Sequence, residues 1–486
     1  MRMGKRVVRA ATQVPVTLTR ELAWLIGEAI ALAHVIVAGW ATVHILLNKR
    51  AVGSAVAWIG IAWLSPFLGS GLYFALGINR VKRRARRLRG ERAQKFTASG
   101  LPADISDNPL MPLSDAIGRL TGLPLAGGND VRLLKSGDEA YPAMVAAIDG
   151  ATESVGLTSY IFRDDAVGAK FVEALARAHA RGVAVRVLID GVGGGWFKSG
   201  VYEKLRVAEV PVARFLHSYF PWRMPFLNLR THRKLMAVDG RVAFTGGINI
   251  GAENVLADRP RFPVRDTHFR IDGPVVGQLV DTFADDWLFA TGERLAGEAW
   301  FPQLAPRGTT AARVVTSGPD EDFEQIEVAA LHAISCARQS IRIVTPYFLP
   351  PEILTTTLAL AALRGLAVDI VVPERSNHTV LDWARRIPLR HLIDAGCRIW
   401  LAPAPFDHSK LMIVDDAWSL IGSANWDTRS FRLNFELNVE VQGAGFARRL
   451  ADILPSGRPL ARAELDADTL TLRLRNAAAR LLQPYL

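Results

Sequence analysis

The chain has 486 residues, half of them apolar, with a positive mean hydropathy and a formal charge of +11. That length is too great for one ordinary core, so two or more domains are expected. Two cysteines, Cys336 and Cys397, exclude a disulfide framework and a cysteine-built zinc site, and they fit a reducing compartment.

The charge is not spread evenly. Fifteen basic and three acidic residues fall within positions 1–93, so the remainder is close to neutral. A basic excess that flanks apolar segments favours anionic lipid headgroups and sets topology. It argues against a nucleic-acid surface, which would put the charge on the globular part.

In chain order, Ala29–Leu47 is the first apolar segment, with His34 and His44 inside it and Glu28 just before it. It either spans a membrane or lies in the interface. Ala51–Ile78 contains no charged residue and is the cleaner candidate, long enough to cross a hydrocarbon core of ~30 Å. Pro66 and nearby glycines allow a kink or a re-entrant shape. A cleaved leader is disfavoured, because the apolar part is too long and a second segment follows at once. The basic N-terminus and the Arg80–Arg92 run then place both flanks in the cytoplasm, with a short outer turn at Asn48–Arg50. Residues 1–93 are thus expected to be a membrane hairpin in the inner membrane. Residues 94–129, rich in Pro, Gly, Asp and Ser, are expected to be a linker.

Beyond the linker, Val131–Leu134 is predicted as an edge strand and Tyr141–Ile148 as a helix. Ser154–Phe162 alternates as a strand, Ala166–Arg181 has helical spacing with Gly182 as its stop, and Val183–Asp190 is a buried strand. The order is βαβ and implies a mostly parallel sheet. Gly191–Gly195 fits no phosphate-binding glycine pattern and is expected to be a loop. The second half repeats the scheme. Helices are predicted at Glu324–Ala337, Pro351–Arg364 and Val380–Ala395, and strands at Ile341–Tyr347, Leu366–Val372 and Cys397–Leu401. The fold class expected is α/β, with domains at 130–310 and 311–486 packed about a pseudo-two-fold axis. Phe215–Leu227, with Phe215, Tyr219, Phe220, Trp222, Met224 and Phe226, is an aromatic run among prolines, expected to be a lipid-contacting loop, with plain core packing as the alternative.

The two halves carry the same motif. His232, Lys234 and Asp239 have an H-x-K-x4-D spacing and lead into Gly246-Gly-Ile-Asn249. His408, Lys410 and Asp415 repeat that spacing and lead into Gly422-Ser-Ala-Asn425. On a strand, His and Lys two apart share a face. Two such segments facing one cleft suit a phosphodiester. The lysines neutralise its oxygens and Asn249 and Asn425 add hydrogen bonds. One histidine attacks phosphorus. The other protonates the leaving alkoxide and then deprotonates the acceptor. Those roles call for one neutral and one protonated imidazole. Nothing in the pattern calls for a metal or another cofactor.

The paired H-x-K-x4-D-x6-G-[GS]-x-N segments resemble the phospholipase D superfamily, and further stretches resemble bacterial cardiolipin synthases. These are Asn48–Trp58, Pro66–Tyr73, Arg265–Pro274, Thr345–Pro350, Gly422–Ser430, Leu433–Asn438 and Ala479–Pro484. The resemblance implies His232 as nucleophile and His408 as acid and base. It implies that an acidic residue after each motif holds an imidazole, Asp266 in the first half and Glu436 in the second. It implies that Asp239 and Asp415, though part of the signature, bond the neighbouring turn. Gly247, where the second half has Ser423, departs from the usual pattern and makes the half-sites unequal. The implied substrate is phosphatidylglycerol in an anionic membrane, with catalytic domains on the cytoplasmic side and no nucleic-acid partner. A phospholipase D, a phosphatidyltransferase with another acceptor, a nuclease and an inactive membrane adaptor are the competing readings. The near-neutral soluble part speaks against the nuclease, and the intact motifs speak against the adaptor.

Overall fold

The computed structural model describes residues 16–48, 52–65, 67–74, 110–195, 199–217, 229–319 and 324–483. The chain divides into an N-terminal unit, Met1–Arg80, and a second unit, Val81–Leu486.

In the N-terminal unit, Val16–Asn48 is a single 33-residue helix, and its Arg20–Asn48 part is long and apolar enough to cross a membrane. The second apolar segment is broken at the place where a kink or re-entrant shape was expected. Its helix, Val52–Leu64, has 13 residues. At ~1.5 Å per residue it is ~20 Å long, short of the hydrocarbon core. The chain turns at Phe67, which has φ 56, into the short helix Leu68–Leu72. Gly69 makes that fold-back possible, since a Cβ there would sit 2.0 Å from the Ile61 carbonyl oxygen. The histidines that made the first segment look less clean find partners inside the unit. His44 Nδ1 lies 2.8 Å from the Tyr73 hydroxyl, and His34 Nε2 lies 3.2 Å from the Trp63 carbonyl oxygen. The run Arg80–Arg92 lies outside the described residues.

The second unit is built on one sheet of 16 strands. From one end to the centre its order is Val212–Phe215, Ala184–Asp190, Ser154–Ser159, Leu235–Val238, Val242–Gly246, Thr267–Asp272, Ala126–Lys135. From the other end, inside the short Arg458–Pro459, it is Arg398–Ala402, Ala367–Pro373, Ser340–Val344, Leu411–Val414, Trp418–Gly422, Asn434–Gln442, Thr310–Ser317. The outer three strands on each side are parallel, joined through helices such as Ala166–Ala180 and Glu352–Leu363. The inner strands are antiparallel, so the sheet is mixed and not mostly parallel. The reason is local. Tight turns at Asp239–Arg241 and Asp415–Ala417 permit only hairpins, whereas a helix-length crossover permits a parallel return. The strand holding Val131–Leu134 is also not an edge. It pairs with Thr267–Asp272 on one side and Thr310–Ser317 on the other.

Strand periodicity builds three layers. Leu235 and Ala237 face the core under helix Val276–Thr291, while Met236 and Val238 face the core under helix Ala166–Ala180. Leu411 and Ile413 join the first of these cores, so both halves share it. The stretch expected to be a linker contains the helix Met111–Thr121, and its Leu113 and Ile117, with Leu110, are buried in the core of the second half beside Ile326 and Ala330. Phe215, expected at a lipid surface, is 1% exposed and packs on Phe435 and Phe289 at ring separations of 5.0 and 5.4 Å. The rest of the aromatic run, 218–227, lies outside the described residues.

Candidate active site

Each motif enters its half along a two-residue strand stitched to the other half. Arg230–Thr231 pairs in parallel with Asn434–Phe435, and the His232 N–H donates to the Phe435 carbonyl at 2.9 Å. Phe406–Asp407 pairs in parallel with Val264–Arg265, and the His408 N–H donates to the Arg265 carbonyl at 2.8 Å. Phe435 and Arg265 each immediately precede one of the acidic residues. The imidazole–acid pairs therefore cross between halves. His232 Nδ1 lies 2.9 and 3.0 Å from the two carboxylate oxygens of Glu436, and His408 Nδ1 lies 2.8 Å from Asp266 Oδ2. An acid downstream in the chain serves the opposite half's histidine, not its own. With Nδ1 occupied, Nε2 is the nitrogen left for chemistry on both rings.

The H-x-K residues are not on strands. Residues 232–234 and 408–410 are extended segments leading into Leu235–Val238 and Leu411–Val414. Both lysines are 2% exposed, and each ammonium folds back onto its own histidine's carbonyl, at 2.6 Å for Lys234; Lys410 does the same with His408. Burial pushes Lys234 down to about 7 and Lys410 down to about 8. Burial, then the two lysines, drive both imidazoles well below their ordinary range. The surroundings disfavour a proton on either imidazole, first through burial and then through the two lysines, so the one protonated ring that was expected needs a further source of negative charge. Burial also raises both acids, Asp266 to about 8 and Glu436 to about 7.

The departure at Gly247 has a steric cause. A Cβ on Gly247 would stand 2.2 Å from Asp266 Oδ1. The shorter aspartate occupies that space and accepts from the Thr267 N–H at 2.7 Å. In the other half the longer Glu436 leaves room for Ser423, whose hydroxyl donates to it at 2.5 Å while accepting from the Leu437 N–H at 2.9 Å. Asn425 is buried and its Oδ1 has no hydrogen-bond partner among the described residues. Asn249 instead accepts from the Ile161 N–H at 3.3 Å. Asp239 and Asp415 are not brought to the cluster. Both have left-handed backbones, φ 50 and 52. Asp239 accepts from the N–H groups of Thr152, Glu153 and Ser154, and Asp415 from those of Arg338, Gln339 and Ser340.

Sequence reasoning missed two tyrosines. The Tyr160 ring lies 5.0 Å from that of His232, with the Lys234 ammonium 5.3 Å from its centroid, and the Tyr347 ring lies 6.1 Å from that of His408. They follow corresponding strands, in Thr158-Ser-Tyr160 and Thr345-Pro-Tyr347, a repeat that was open to reading. Asp190, fully buried, was also missed. It caps the turn 191–194, accepts from the Thr231 N–H at 2.9 Å, and stands 3.9 Å from Arg230.

The comparisons agree with this geometry. The family model described as "Cardiolipin synthase, PLD-like domain" matches residues 144–287 and 330–456. The chain is 33% identical over 463 residues to a cardiolipin synthase of Geobacillus thermodenitrificans, covering 91% of each chain. It is 32% identical over 480 residues to cardiolipin synthase A of Pseudomonas syringae, covering 95% of this chain and 99% of that one. It is 31% identical over 466 residues to the major cardiolipin synthase of Bacillus subtilis, covering 92% and 96%. Among solved structures, a phosphatidylserine synthase of Haemophilus influenzae shares the fold with a TM-score of 0.61 at 14% identity, covering 77% of this chain and all of that one. With two matched domain regions, a crossed histidine–acid pair between them and a near full-length match to these relatives, the chain belongs to the cardiolipin synthase family built on the phospholipase D-like domain.

Proposed function

We propose that the chain makes cardiolipin by moving a phosphatidyl group from one phosphatidylglycerol to another. The observation that carries this reading is the crossed pair, two buried imidazoles each held through Nδ1, with a buried lysine bonded to the backbone of each histidine. His232 Nε2 attacks phosphorus, the bond from phosphorus to the glycerol oxygen breaks, and His408 delivers a proton to that oxygen. Glycerol leaves and a phosphatidyl-histidine remains. The terminal hydroxyl of a second phosphatidylglycerol then gives its proton to His408 and attacks phosphorus. The phosphorus–nitrogen bond breaks and cardiolipin is formed. Lys234 and Lys410 hold the non-bridging oxygens. The substrate's own negative charge raises the proton affinity of His408, which supplies the acid that the two lysines alone disfavour. A site this buried favours the lipid hydroxyl over water.

The reading includes two duplicated halves, 130–310 and 311–486, about a pseudo-two-fold axis. The matched strand order on the two sides of the sheet and the paired motifs support it. It also includes an inner-membrane anchor in which Arg20–Asn48 is one full pass, the 13-residue helix Val52–Leu64 needs the residues beyond its turn at Phe67 to complete the second, and the second unit lies on the cytoplasmic side. The basic residues on both flanks of the apolar stretch support that arrangement. The decisive experiment gives the purified full chain, in nanodiscs, phosphatidylglycerol as its only lipid. Equal amounts of cardiolipin and glycerol are expected. Phosphatidic acid alone would replace the proposal with hydrolysis.

A further inference from the structure

The segment 256–265, Leu-Ala-Asp-Arg-Pro-Arg-Phe-Pro-Val-Arg, takes no part in the chemistry above. Both of its ends are pinned. The Asp138 carboxylate accepts from the N–H groups of Leu256 and Ala257, each at 2.9 Å. At the other end Val264–Arg265 pairs with Phe406–Asp407, and the Arg265 carbonyl is the acceptor for the His408 N–H. Between the pins is a tip that faces water. Arg259 and Arg261 are exposed, and Phe262, between Arg261 and Pro263, is 71% exposed with the Arg261 guanidinium 5.0 Å from its ring centroid.

One exposed phenylalanine is unremarkable on its own. Three features of its setting give it meaning. The ten residues carry three arginines against one aspartate, in a stretch, 94–486, that is otherwise near neutral. The ring and the cations sit together at the tip. The loop is joined, by a single backbone hydrogen bond, to a histidine of the active site. An aromatic ring among arginines suits the headgroup layer of an anionic bilayer, where the ring enters the interface and the cations meet phosphates. An acidic protein surface would also attract the arginines, but it would give no reason for the attachment to His408.

We infer that the 259–262 tip docks the second unit onto an anionic phospholipid surface and holds the His408 side of the site against the layer that supplies substrate. This rests on the reading that the substrate is phosphatidylglycerol in a bilayer. The test uses the full chain and two forms of substrate, phosphatidylglycerol nanodiscs and monomeric dihexanoyl phosphatidylglycerol. Phe262→Ser and the double variant Arg259→Gln/Arg261→Gln should each slow turnover on nanodiscs by about tenfold and on the monomeric lipid by less than about twofold. A polarity-sensitive dye on Phe262→Cys, in a Cys336→Ser background, should shift to the blue in phosphatidylglycerol nanodiscs. It should shift less in phosphatidylcholine nanodiscs or at about 0.5 M salt. The same dye on Val207→Cys, at a site 84% exposed, should not move. Equal effects on both substrates, or a dye at 262 as wet as one at 207, would overturn the inference. Loss of product from both substrates in the unaltered chain would instead sink the proposed reaction, and the dye would still decide the docking.

Discussion

His232 and Glu436 are 204 residues apart in the chain, yet the imidazole Nδ1 stands 2.9 Å from the carboxylate. The reciprocal pair, His408 with Asp266, is 142 residues apart and closes at 2.8 Å. Because the pairs cross, substituting an acid in one half disables the histidine of the other. Glu436→Gln should slow formation of the phosphatidyl-histidine, and Asp266→Asn, which acts through the histidine that serves both steps, should slow formation and resolution alike. Losing the charge that orients a catalytic imidazole costs up to ~10⁴-fold in rate, and outer partners of this type cost at least ~10-fold. A single-turnover experiment separates the two. With a labelled phosphatidyl donor whose leaving group needs no proton, label should build up on the protein in Asp266→Asn and not in Glu436→Gln. The reverse pattern would exchange the roles of the histidines.

Gly247 should not tolerate a side chain. A Cβ placed 2.2 Å from Asp266 Oδ1 must displace the carboxylate that holds His408. Gly247→Ser, which restores the residue found at Ser423, should therefore lower kcat by ~10-fold or more with little change in Tm. Ser423→Gly, at the roomier position, should cost less, because only the hydroxyl bonds to Glu436 and the Leu437 N–H are lost. Steady-state kinetics beside a thermal melt decide this. An active Gly247→Ser enzyme would mean that the aspartate is not confined as described.

The lysines predict an unusual pH dependence. Burial lowers Lys234 to about 7 and Lys410 to about 8. The positive charge that grips the phosphodiester is then complete only below about pH 6 and is lost as pH rises through these values, not above 10 as for exposed lysines. KM for phosphatidylglycerol should rise across that interval, while the charge of the lipid's phosphodiester stays constant. A flat KM up to pH 9 would show that the ammonium groups keep their protons.

Asp239 and Asp415 should affect folding more than chemistry. Each carboxylate serves three backbone N–H groups at the start of a strand, and each sits in a left-handed turn. Replacing either by alanine leaves those donors short of an acceptor, at a cost of about 1–3 kcal/mol. The expected result is a lower Tm with kcat per folded molecule retained. A normal Tm with lost turnover would return both residues to the chemistry.

Much of the site was readable because chemistry imposes spacing. The H-x-K-x4-D pattern and the small-small-x-Asn turns name residues that the fold gathers at one point, or anchors beside it. The crossing of the acids was not readable. It depends on which half the short strands Arg230–Thr231 and Phe406–Asp407 choose to pair with, and two residues carry no signal of that choice. Composition misled at Met111–Thr121, where Pro and Ser suggested a linker. The apolar spacing Leu110, Leu113, Ile117 there matches a helix face, and its partner surface belongs to the far half of the chain. In the membrane unit, freedom from charge made Ala51–Ile78 the cleaner span, while Pro66 and the nearby glycines allowed the kink that the structure has between Leu64 and Leu68. The close approach of Gly69 to Ile61 is backbone geometry that hydropathy does not register.

The crossed wiring bears on how the enzyme is made. Synthesis delivers His232, Lys234 and Asp266 well before Glu436 exists. Until the last strands are added, the emerging first half holds an imidazole with no carboxylate to aim it, beside the very lipids it would attack. A chain that stops before residue 408 lacks His408 and Lys410 as well as Glu436, so neither half alone carries a complete histidine–acid pair.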